Sequence, residues 1–357
     1  MVIIRIHNLR IATKSVMVLM TTVTLLSGFF IGSTSAQVSD FPQAELSNGL
    51  ITARIYLPDA KNGYYSSTRF DWSGAVCRLQ YRNHDFYSSW FDKIDPKVIN
   101  WVYMGPEIVS GLCSALYGPV EEFETPLGWN EAKSGGTFIK IGVGVLQKGE
   151  GTYNRYAPYK ILDSGKWSVR TASDSIRFTQ VLSDPNSGYA YEYRKVVRLV
   201  EGKPELVIEH CLKNTGRLRI QSNVYNHNFV VIDKQPPGPD YTFKLPFQIQ
   251  GGRSLHKELA EVSGNQIVFL KQLAGEDEAV VFIQGFSDSA RDNEVVIENK
   301  KAGAGMKITC NRPLIREFLW SIRTVLAVEP YISINIRPGD EFTWKNTIDY
   351  YTLPSGN

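Results

Sequence analysis

The chain is poor in the residues that build metal and redox sites: four cysteines and five histidines in 357 residues. Cys77, Cys113, Cys211 and Cys310 lie far apart and form no C-x-x-C pair, so zinc-site spacing is absent and no metal is expected. In an oxidising compartment four cysteines allow three full pairings, with Cys77–Cys113 nearest in sequence; buried free thiols are the equal alternative. A convincing long amphipathic helix is also missing. "GGTFIKIGVGVL" (135–146) holds a G-x-G but no third glycine and no helical pattern after it. That excludes a dinucleotide fingerprint and leaves a bulge or a close backbone approach. No low-complexity linker and no clear repeat divides residues 37–357, which read as a single domain.

A strong charge bias is lacking too. The net charge of +3 comes from 39 basic and 36 acidic residues. Arg5, Arg10 and Lys14 account for the excess, and they precede the uncharged run "SVMVLMTTVTLLSGFFIG" (15–32) and the small-residue stretch "STSAQ". This is the form of a secretory signal peptide, residues 1–36, with cleavage expected after Ala36; an uncleaved anchor is the alternative. The remaining chain is nearly neutral, so charge gives no argument for nucleic acid, nor for a membrane once the signal is removed. A periplasmic or extracellular protein is expected.

What is abundant is strand signal. "LITARIYL" (50–57), "TFIKIGVGVL" (137–146), "WSVRTASDSIRFTQVL" (167–182), "YAYEYRKVVRLV" (189–200), "ELVIEHCLKN" (205–214), "AVVFIQGF" (279–286) and "YISINI" (331–336) alternate or are rich in β-branched and aromatic residues. "DPNSG", "EGKP", "NTGR", "QPPGPD" and "RPGDE" supply turns between them. Many strands without interleaved helices predict an all-β fold, a large antiparallel β-sandwich. Short helical turns are expected near 128–134 and 313–323.

Two places break the strand pattern. "VYNHNFVVID" (224–233) puts Asn226, His227 and Asn228 inside an apparent buried strand, where polar groups are costly unless paired. By period two, Tyr225, His227 and Phe229 share one face, and Asn226 and Asn228 the other. His227 therefore either lines an aromatic-walled pocket or is a satisfied core histidine. Of the other histidines, His84 and His256 lie in polar, turn-like settings and are expected to be solvated, and His210 ends a strand. Glu329 follows an apolar strand and precedes Pro330, whose missing N–H should interrupt pairing and free the carboxylate to point into a cleft. An ion pair with Arg323 is the alternative.

Taken together, these segments resemble the aldose 1-epimerase (galactose mutarotase) superfamily. The N-H-x-[YF] signature is matched by Asn226–His227–Asn228–Phe229. The late glutamate with its following turn is matched by Glu329 and "RPGDE" (337–341), and the opening strands by "NGLITARI" (48–55) and "WSGAVCRL" (72–79). The resemblance implies a β-supersandwich with a carbohydrate cleft on one concave sheet, a mono- or oligosaccharide partner and no organic cofactor. It also implies Glu329 as base and His227 as acid, facing each other across a sugar whose ring they open.

The chain departs from the family near its N-terminus, where "YGPVEEFETPLGWNEAKSGG" (117–136) holds no histidine. Glu121, Glu122 or Lys133 is expected to stand in toward sugar hydroxyls, with Asn226 and Asp240 as further substrate contacts. Arg69 and Trp72 of "RFDW" are expected to line the cleft, since flat rings suit sugars; core packing is the alternative for Trp72. "GPVEEF" itself reads as a solvated loop. The favoured function is isomerisation of a free sugar. The rivals are a non-catalytic carbohydrate-binding protein, a hexose-phosphate epimerase with a cationic pocket, and a polysaccharide lyase.

Overall fold

Alternation of apolar and polar residues becomes strand throughout the computed structural model, which describes residues 41–250, 253–255 and 258–354. The only helical element among them is one 3-10 turn, Ala290–Asp292. Two large antiparallel sheets carry the fold. One has ten strands, running from an edge at Lys166–Thr171 to an edge at Ala260–Ser263. The other has six, in the order Arg253–Leu255, Glu278–Ile283, Arg316–Ile322, Val325–Ile336, Ile220–Val230 and Gly118–Phe123. The expected large β-sandwich is what the chain forms.

The sheets face each other over an apolar core. Ile208, Ile297 and Ile348 of the larger sheet pack with Val281, Leu319 and Val328 of the smaller. These are the inward positions of alternating strands, and their burial supplies the main favourable term in folding. Contacts gather residues from Phe41 onward into one compact unit. The export signal expected at 1–36 and His256 lie outside the described residues.

Two local expectations are corrected. The segment 313–323 forms the strand Arg316–Ile322 rather than a helical turn. At 128–134 a single turn of helical spacing does close, Ala132 N donating to the Gly128 carbonyl at 3.0 Å, without continuing into a helix. "GPVEEF" is no solvated loop but the buried edge strand Gly118–Phe123. All four cysteines are free thiols, with Cys77, Cys113 and Cys310 buried.

Candidate functional site

The outer face of the six-stranded sheet is laid out in three successive rungs, read across neighbouring strands. One holds Arg316, Tyr331, Tyr225 and Glu122; another holds Trp320, Ala327, Phe229 and Gly118. Between them lie Phe318, Glu329, His227 and Val120. Pairing between Ile220–Val230 and Val325–Ile336 runs to Tyr225↔Tyr331 and resumes at Asn228↔Val328. The two unpaired rungs are those of Pro330 and Glu329, as the missing proline N–H requires. Continued through the gap, the register sets His227 opposite Glu329. Cross-strand neighbours lie close enough for side chains to touch, and His227 Nε2 is 3.3 Å from Glu329 Oε1.

His227 and Glu329 thus share one cleft of about 180 Å³. They stand side by side, not on opposite walls. His227 stacks on Phe229, with ring centroids 3.7 Å apart, and its Nδ1 has no partner among the described residues. The Tyr331 hydroxyl donates to Glu329 Oε2 at 3.1 Å, leaving Oε1 toward the imidazole. Burial moves the two groups in opposite directions, because it penalises whichever form is charged. It pushes the Glu329 carboxyl up to about 7. It drives the imidazole well below its usual value, helped by the nearby positive charge of Arg69 and Arg155. Near neutrality a proton shared by the pair therefore rests on Glu329. Arg323 lies elsewhere, donating to the carbonyls of Gly275 and Pro106 at 2.5 Å each.

Loops and strands together build the walls: Arg69, Trp90, Arg155 and Tyr156 come from loops, and Trp101 and Trp320 from the strands Trp101–Met104 and Arg316–Ile322. The three indoles meet edge to face with centroids 5.6–6.4 Å apart, a geometry favoured by the ring quadrupole. Arg69 donates from Nε to Glu122 at 2.8 Å, from Nη1 to Ser114 Oγ at 3.2 Å and from Nη2 to the Tyr225 hydroxyl at 3.1 Å.

Of the residues expected at the site, Arg69, His227 and Glu329 line the cleft, and the others do not. Glu122 lies beneath it, holding Arg69, Arg155 and Lys140 at 2.8, 3.1 and 3.1 Å. It also accepts from the Tyr225 hydroxyl at 2.5 Å. These cations keep its carboxyl well below the usual range despite burial.

Glu121 points the other way, into the space between the sheets. There it meets Lys195 and lies 2.9 Å from His210 Nε2, while Lys195 is 3.3 Å from Asp71. Asn226 is also on the inner face, donating to Asn228 Oδ1 at 2.9 Å, while Asn228 reaches the Val328 carbonyl at 3.2 Å. Trp72 is core: it is buried and its indole N–H donates to the Ser67 carbonyl at 2.7 Å. Asp240 is an exposed turn residue whose carbonyl accepts from Lys300 N at 2.9 Å, before the Tyr241–Lys244 strand of the other sheet. Lys133 is exposed. His84 is half-buried, with its Nδ1 2.6 Å from Asp233, rather than solvated.

Sequence reading missed Arg155 and Tyr156, which sit in a patternless loop, and Lys140. It also missed Phe318 and Trp320, whose alternation is clear but whose place opposite Glu329 depends on strand pairing.

No family model and no curated protein matches the chain. Solved structures do. A protein of Escherichia coli K12 described as a candidate aldose 1-epimerase superposes with a TM-score of 0.52 at 12% identity, over 88% of this chain and 100% of the other. A galactose mutarotase-like protein of Lactobacillus casei superposes at 0.50 and 9% identity, over 87% and 100%. The chain therefore has the galactose mutarotase-like fold.

Proposed function

We propose that this chain interconverts the anomers of a sugar by acid/base ring opening in the His227–Glu329 cleft, as an aldose 1-epimerase does. The observation that carries the reading is the imidazole and carboxyl side by side, 3.3 Å apart, in one aromatic-walled cleft. The chemistry suits neighbours rather than opposed groups. The anomeric hydroxyl and the ring oxygen are bonded to the same carbon, so one group can take a proton from the first while its neighbour protonates the second. The bond from the anomeric carbon to the ring oxygen then breaks and an aldehyde forms. Rotation about the adjacent carbon–carbon bond and closure by the reverse transfers give the other anomer and return both protons.

In this reading the resting proton sits on Glu329, held there by burial. Glu329 then donates to the ring oxygen and His227 Nε2 accepts from the hydroxyl. The proton-shifted form of the pair is the assignment implied by the family resemblance, and the pair acts as one unit with a shared proton. Export through the segment 1–36 would place the activity outside the cytoplasm.

The test is NMR exchange between anomers of a panel of sugars, over a pH series. Positioned proton transfer is worth roughly 10²–10⁴-fold, so His227→Ala and Glu329→Gln should each lose acceleration of about that size. The wild-type rate should fall as pH rises through about 7 and Glu329 loses its proton. Equal exchange in all three proteins would remove the proposed roles. A second reading, sugar binding without catalysis, is favoured by one observation. The resemblance implies a further histidine nearer the N-terminus; the region 117–136 has none, and its Glu121 and Glu122 are both committed to ion networks. Binding of a sugar without accelerated exchange would establish it.

A further inference from the structure

Resting on the reading of this cleft as a sugar site, we propose that its sugar is anionic, carrying a carboxylate or phosphate that Arg155 and Arg69 hold.

Charge beneath and beside the cleft is unbalanced. Glu122 is shared by Arg69, Lys140 and Arg155. Glu124 is shared by Arg155 at 3.4 Å and Arg316 at 2.6 Å. Four cations thus divide two carboxylates. His227 adds no compensating charge, and Glu329, raised to about 7 by burial, is about half protonated near neutral pH. Glu278 lines the cleft as well, its Oε1 accepting from the Trp320 indole at 2.8 Å, and adds a third carboxylate, so the four cations still outnumber the paired and lining acids by about one charge before Glu329 ionises.

The guanidiniums are also held in place. Arg69 is fixed by three acceptors and lies over the Phe70 and Tyr156 rings at 4.3 and 4.9 Å. Arg155 lies over the Tyr225 ring at 5.6 Å, and its side chain keeps 20% of its surface exposed. A guanidinium presents five N–H donors in a fixed fork that suits carboxylate and phosphate oxygens. When a sugar displaces water from such a cleft, a neutral ring leaves the excess positive charge less solvated. An anionic substituent compensates it with charge-assisted hydrogen bonds.

The experiment compares D-galactose, D-galacturonate and D-galactose 6-phosphate, measuring anomer exchange by NMR and binding by calorimetry. The proteins are wild type, Arg155→Gln and Arg155→Lys, with folding checked by circular dichroism. The proposal expects one charged sugar to exceed galactose in kcat/KM by at least about tenfold. Arg155→Gln should shrink that ratio, and Arg155→Lys, which keeps the charge, should restore part of it. A larger effect with galacturonate assigns a uronate, and a larger effect with the phosphate assigns a sugar phosphate. Galactose exchanged as well as its charged counterparts overturns the proposal and leaves the isomerase reading standing. Charged sugars bound tightly but not exchanged overturn the isomerase reading and leave the anion preference. A preference unchanged in folded Arg155→Gln overturns the role of that residue, and no binding of any of the three overturns the whole.

Discussion

Glu317 and Glu329 occupy adjacent rungs on neighbouring strands and face opposite sides of one sheet, Glu317 beside Pro330 and Glu329 beside Phe318. Burial raises both carboxyls, to about 8 for Glu317 and about 7 for Glu329. Glu329 touches an imidazole and a tyrosine in a cleft. Glu317 lies inside the sandwich, where its Oε2 has no partner among the described residues and burial alone moves its pKa. A carboxyl raised in the fold contributes stability that is fully present below its unfolded value and is lost as pH rises through the folded value. Thermal stability should therefore fall between about pH 5 and pH 8. Glu317→Gln, which keeps the shape and cannot ionise, should flatten that fall and be the more stable protein at the alkaline end. Glu329 remains, so some slope should persist. Melting curves followed by circular dichroism across the range check this, and parallel slopes in the two proteins would contradict it.

At the scale of the element, the strand Gly118–Phe123 joins two ion networks. Alternation sends Glu121 between the sheets and Glu122 under the cleft, so adjacent acids serve different neighbourhoods. Their cations come from distant segments: Lys195 is 74 residues from Glu121, and Arg69 is 53 from Glu122. That is why "GPVEEF" reads as a solvated loop from sequence. Nothing local announces the partners that make burying two carboxylates tolerable. By contrast, the interruption at Glu329–Pro330 was legible, because a missing N–H acts on the strand that carries it. Lys195 gives the sharper test. Its ammonium meets Asp71, Glu121 and the Ser73 carbonyl, all buried. Lys195→Met leaves Asp71 and Glu121 facing each other without that cation, and removing one partner of a buried pair costs about 3–5 kcal/mol. Urea unfolding should show a loss of that order; a loss below about 1 kcal/mol would mean the network is far better hydrated than its burial indicates.

For the whole molecule, period-two patterning made the strands and the sandwich legible, since each sheet has an apolar inner face. The face of His227 followed from the same rule. Asn226 did too: its inner-face position was readable, which argued against the substrate contact also expected of it. Asp240 and Trp72 show the opposite limit, because a turn residue's neighbours and the depth of an aromatic ring are set by how sheets and loops meet. Cysteine pairing belongs with these. Cys77 is the nearest in sequence to Cys113, yet each thiol has a separate setting. Cys77 donates to the Arg54 carbonyl at 3.3 Å, while Cys113 lies 3.0 Å from the Ser67 hydroxyl. Both are free thiols in the structure. Burial raises the Cys77 and Cys310 thiols to about 11, and it also raises Cys211. Reaction with disulfide reagents needs thiolate, so in the native protein the two most strongly raised thiols should react slowly at neutral pH. Protein unfolded in guanidinium without reductant should titrate all four thiols, and the melting temperature should not change when reductant is added. A titre of two would mean that a bridge closes in the protein as it is made.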